Sequence, residues 1–118
     1  MTNVVQFKRR KEPHPADDLS FMEMRKPKST GINYWKVEAS GNYAADCEKG
    51  KMLAREYLAY IGQHPTVFNA TLLGSIVDDM VKRAEDKRLD GVARGFLKGI
   101  NGAAMITAAY APDAVQLL

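Results

Sequence analysis

Gly91, Gly95 and Gly99 recur every four residues, and Ala103 continues the line. They sit in a stretch that otherwise reads as a helix over residues 90–109, capped by Asp90, with Val92, Phe96, Ile100, Ala103, Ala104 and Thr107 on its inner face. Each interior glycine costs a helix ~1 kcal/mol relative to alanine. A sequence that keeps such a line gains a smooth face that a second backbone can approach closely. In membranes this spacing drives helix dimers. Here the charges of Arg94 and Lys98 argue against a membrane, and the charge-free run over residues 99–112 is shorter than the roughly 20 residues of a span. The line is therefore expected to pack on another helix. That helix is either the preceding one of the same chain, the favoured choice, or the mate in a homodimer, with Gly95, Gly99 and Ala103 at the contact.

Two more helices precede it. Asn42 is a natural cap for a helix over residues 43–61, whose inner stripe holds Tyr43, Cys47, Gly50, Ala54, Tyr57 and Ile61. Gly62 and Pro65 are its stop signals. The next helix, over residues 69–86, has the broadest apolar face: Leu72, Leu73, Ile76, Val77, Met80, Val81 and Ala84. Its other face carries Asp78, Asp79, Lys82 and Arg83, which predict i,i+4 pairs worth ~0.2–0.5 kcal/mol each. Upstream, residues 33–38 alternate. Trp35 and Val37 point one way, Lys36 and Glu38 the other, which is the period of a half-buried strand. A short hairpin alone is marginal, so it must lie on the helices with Trp35 as its anchor. The fold class is mainly α: a three-helix domain with a short N-terminal β-hairpin or strand packed on it.

Charge divides the chain in the same way. Residues 1–30 hold seven bases and four acids, a net of +3, which is the net charge of the whole protein. Residues 31–118 are neutral, so the basic pI describes one segment. Residues 1–20 read as a flexible basic tail and 21–118 as a single domain, a fair size for the 118 residues of the chain. No apolar run follows the basic cluster Lys8, Arg9, Arg10 and Lys11 as it would in a secretory signal, and the lone cysteine, Cys47, makes no intrachain disulfide; a cytoplasmic protein is expected.

The chemistry-bearing residues do not assemble into a motif. His14, His64 and Cys47 lack zinc spacing. Asp78 and Asp79 are adjacent and diverge by roughly 100° around a helix. Glycines inside a helix do not cradle phosphate, because a phosphate loop precedes its helix. No catalytic, metal or cofactor residue is assigned, and the chain is read as a non-enzyme. The stretch from Gly41 to Glu48, with Ala54, Leu58, Tyr60 and the Gly91–Phe96 run, resembles patterns in small bacterial proteins; the resemblance implies no activity. The reading is a small bacterial accessory or regulatory protein acting through protein–protein contacts, as a homodimer, with Trp35, Gly95, Gly99 and Ala103 as contact candidates. The alternative is a nucleic-acid-binding regulator using Lys8, Arg9, Arg10 and Lys11 on phosphates. The third helix offers a groove little beyond Arg94, Lys98 and Asn101, which makes it a poor recognition helix.

Overall fold

The computed structural model describes residues 14–24 and 31–118. In chain order these form α1 (Pro15–Asp18), β1 (Glu23–Met24), β2 (Ile32–Asn33), α2 (Tyr43–Gln63), α3 (Val67–Ala70), α4 (Leu72–Arg83), a 3-10 turn (Glu85–Lys87), α5 (Gly91–Tyr110) and α6 (Pro112–Val115). The protein is mainly α, with one two-stranded antiparallel sheet among the described residues, pairing Glu23 with Asn33 and Met24 with Ile32.

Both long helices start at the expected caps. The Asn42 side chain accepts from Ala45 N–H at 3.1 Å, and Asp90 accepts from Ala93 N–H at 2.9 Å. Each satisfies one of the amides that a helix start leaves without a partner. The two helices make the largest interhelical contact in the protein, and their glycines determine how. A Cβ added at Gly95 would strike the Cys47 carbonyl oxygen, and one at Gly50 would strike Val92 O and Phe96 N. At Gly99 it would lie 2.6 Å from the Ala54 Cβ, and at Gly91 2.9 Å from the Asp46 Cβ. The backbones touch because the side chains are missing. As the numbers rise along α5 they rise along α2, from Asp46 through Cys47 to Ala54. The helices are therefore parallel, and residues 64–90 carry the chain back between them.

The glycine line thus packs within the chain, on α2 rather than on the preceding helix as expected. The reason is visible in α2: Cys47, Gly50 and Ala54 present a reciprocal small-residue stripe, whereas the α4 face is filled by Leu72, Ile76 and Met80, which are buried in the core.

The core is aromatic at its centre. The Trp35 ring lies 5.4 Å from Phe21 and 5.1 Å from Phe96, Phe21 and Phe96 are 5.5 Å apart, and Tyr57 is 5.7 Å from Phe96. These tilted and edge-on geometries suit ring quadrupoles. Leu19, Val37, Leu72, Ile76, Met80 and Val92 close around them.

Three further expectations are corrected. Residues 14–20 belong to the domain, not to a tail: His14 caps α1, Pro15 and Leu19 are buried, and Ser20 donates from both its N–H and its hydroxyl to Glu56 at 2.6 Å. The expected disorder of residues 1–13 lies outside the described residues. The helix over 69–86 is broken, because Thr71 separates α3 from α4 and Ala84 leaves helical geometry with ψ 131°. Asp86 and Lys87 then take left-handed φ values of 54° and 58°, uncommon for side-chain-bearing residues, and turn the chain into α5. Residues 34–38 are extended, with the expected alternation of burial, but they pair with no strand among the described residues.

The glycine contact gives a test with two signs. Gly95→Ala must push two backbones apart, so a destabilisation of ~1–3 kcal/mol is expected despite alanine's better helix propensity. Gly74, inside α4, has open space where its Cβ would be. Gly74→Ala is expected to stabilise by up to ~1 kcal/mol. Urea denaturation measures both, and a stabilising Gly95→Ala would contradict the close contact.

Candidate interaction surface

Trp35 and Gly95 are closed off inside the chain: Trp35 is 2% exposed at the centre of the aromatic cluster, and Gly95 is buried on Cys47. Neither is open to a partner, which corrects the reading of both as contact residues. Gly99 is half-buried against Ala54, so its smooth face is taken up by α2. Ala103 is half-buried and lies one turn further on, where α5 leaves the core. Lys8, Arg9, Arg10 and Lys11 lie outside the described residues.

Side chains that the sequence places on solvated faces turn out to hold the extended segment that carries Trp35. Asp79 is buried and accepts from Tyr34 N–H at 2.8 Å. Arg83, instead of pairing with Asp79, donates from Nη1 to the Trp35 carbonyl at 2.9 Å. Lys36 N–H donates to the Phe21 carbonyl at 2.7 Å. At the far end Asp46, also buried, accepts from Ser40 N–H at 3.0 Å, from the Ser40 hydroxyl at 2.7 Å and from Gly41 N–H at 3.3 Å. A strap with little ladder bonding is thus held from α4 at one end and from α2 at the other. These bonds give the strap's backbone amides partners that a sheet ladder would otherwise supply.

Beside the strap opens a groove of about 650 Å³. Trp35, Val37 and Met80 form its apolar floor, and Arg83, Glu85 and Arg88 stand at its edge. The charges there are mixed in sign, and Arg83 is committed to the strap. The Ser40 hydroxyl, also on the groove's lining, is committed to Asp46 Oδ1 at 2.7 Å. Among the described residues no cluster of His, Cys, Asp and Glu has the makings of a metal site. Cys47 is half-buried, its backbone covered by Gly95. His64 ends α2 with its ring 4.8 Å from Tyr60.

The most unusual surface is at the other end of the parallel pair. Beyond Ile100, α5 loses its cover, and from Ala104 to Tyr110 every residue is exposed. This free arm is about 10 Å long at ~1.5 Å per residue. Met105, Ile106 and Tyr110 project into water, Tyr110 retaining 85% of its surface, and Leu117 and Leu118 follow past α6. Because α2 and α5 are parallel, α3 lies at this same end, with Val67 and Phe68 exposed. Eight of the twelve large exposed apolar residues of the described chain therefore follow the core at one end. The helical angle explains which face is bare: Ile106 and Tyr110 continue the stripe of Gly95, Gly99 and Ala103, the stripe that meets α2 further up. The stripe is covered by α2 at the glycines and uncovered beyond Ala103, so the same apolar stripe that is core at Gly95 is surface at Tyr110. No helix among the described residues is long and apolar enough to cross a membrane.

No family model matches the chain, and neither a curated protein nor a solved structure matches it.

The Asp46 cluster makes a pH prediction. Hydrogen bonds from the Ser40 hydroxyl, foremost, and from the Ser40 and Gly41 amides hold its carboxyl below the ordinary carboxylate value. A lowered folded-state pKa contributes stability that is fully present above the unfolded value of about 4 and is lost as pH falls through the folded one. Asp46→Asn is therefore expected to lower the urea midpoint at neutral pH. The gap from wild type should narrow as pH falls from about 5 to about 2. A gap that stays constant over that range would contradict the assignment.

Proposed function

We propose that this is a non-catalytic accessory protein that acts through protein–protein contacts made by its apolar end. The observation that carries the reading is the uncovered arm of α5, with Ile106 and Tyr110 on the stripe that is core elsewhere and Met105, Leu117 and Leu118 exposed beside it. Apolar surface concentrated on one end is what interaction sites share, whereas single exposed apolar residues are ordinary. Its size fits as well. The side chains of Met105, Ile106, Tyr110, Val115, Leu117 and Leu118 together offer on the order of 700 Å², close to the ~800 Å² that each partner contributes to a standard interface. A small cytoplasmic homodimer is the form of the proposal that needs the fewest parts.

A second reading is supported by charge. Lys8, Arg9, Arg10 and Lys11 lie in the segment that holds the whole net charge of +3, and phosphates are the partner such a cluster would meet.

The two readings separate in solution. Sedimentation equilibrium of the full chain is expected to show association in the micromolar range. Tyr110→Glu is expected to weaken it by about 30-fold, the effect of an interface hot spot of ~2 kcal/mol, with unchanged helix content. A chain that stays monomeric while binding DNA or RNA with a steep inverse dependence on salt, lost on neutralising residues 8–11, would favour the second reading instead.

A further inference from the structure

We infer that the occupant of the α5 arm is the same arm of a second copy, crossing antiparallel about a two-fold axis at Ile106, with the Tyr110 ring of each copy seated over Gly102 of the other. The inference rests on the protein-contact reading above and names its partner.

Three observations select a second copy. The first is charge. Between Lys98 and Asp113 the chain carries none, so nothing on the arm selects a partner of either sign, and pairing with itself desolvates no charge. The second is area: about 700 Å² per copy, nearly all apolar, is the composition and size of a small homodimer face rather than of a transient polar contact.

The third is register. Gly102 lies on the same stripe as Ile106 and has open space where a Cβ would be, unlike Gly91, Gly95 and Gly99, which are filled by α2. Its missing side chain leaves room on that stripe. Tyr110 is a ring with no cover, 85% exposed. Gly102 and Tyr110 are each four residues from Ile106, one before and one after. In an antiparallel pair of helices centred on Ile106, residue 102 of one copy falls opposite residue 110 of the other, twice, by symmetry. An isologous contact requires this self-complementarity. Antiparallel order also sets each helix C-terminus beside its neighbour's earlier turns rather than against another C-terminus, which the helix dipoles favour.

The test is a thiol cross-link. A residue on a two-fold axis meets its own copy, so Ile106→Cys is expected to form a covalent dimer under mild oxidation. Met52→Cys, exposed on another face of α2, serves as the comparison, and the wild-type chain controls for Cys47. Ile106→Cys should cross-link at least tenfold faster than Met52→Cys. Adding Gly102→Leu, which fills that space, should slow that tenfold while leaving helix content intact, since a Cβ at Gly102 meets no atom of the chain within 4 Å. If sedimentation shows a dimer but Ile106→Cys cross-links no faster than Met52→Cys, another face makes the contact; this inference falls and the protein-contact reading stands. If the chain is monomeric at all concentrations, self-association falls. If that monomer binds neutral phosphatidylcholine vesicles through Tyr110, the arm is a lipid surface and both fall.

Discussion

The contact of α2 with α5 at Gly50 and Gly95 is the constraint on which the rest of the structure depends. There a Cβ on either helix would enter the backbone of the other, so the pair approaches as closely as two helices can. Phe96, one residue beyond Gly95, is thereby pressed against Tyr57 and forms the platform on which Trp35 and Phe21 stack. The glycines cost helix propensity along α5, and the gain is packing across a backbone-to-backbone seam. Because the helices are parallel, the 64–90 connection must return across the fold, and α4 is placed to hold the strap through Asp79 and Arg83.

The same contact accounts for the exposed end. Toward the N-termini α2 and α5 stay in contact, with Gly91 against Tyr43 and Asp46, and the Asp46 carboxylate gathers the Ser40 and Gly41 amides there. Toward the C-termini α5 runs on without cover through Tyr110. One apolar stripe is thus core at Gly95 and surface at Tyr110.

Much of this was legible in the sequence. The caps Asn42 and Asp90, the long helices they begin, and the anchoring place of Trp35 follow from local rules that tertiary structure did not overturn. The glycine line announced a close helix contact. Its partner was also written in the chain, as the small residues Cys47, Gly50 and Ala54 on the inner stripe of α2, but a filled face and a smooth face must be compared to see it. Asp46 and Asp79 were misplaced because a carboxylate defaults to solvent. Asp46 nevertheless sits four residues before Gly50 on the buried stripe, just after amides of a loop that has no ladder of its own. The break at Thr71 and the left-handed Asp86 and Lys87 carry no glycine to mark them, so periodicity ran through both. The exposed arm was the least legible feature. Composition reveals surplus apolar surface, but only the burial along α5 shows which part of it is left bare.

Residue-resolved hydrogen exchange of the full chain, followed from dilute to concentrated solution, tests the central claim most directly. The account expects α5 amides up to Ile100 to be protected to the level of global unfolding at every concentration. Amides beyond Ala103 should exchange by local opening when dilute and become protected as the protein is concentrated. Uniform protection along α5, independent of concentration, would contradict it, since the arm would then be neither free of the core nor covered by a second copy.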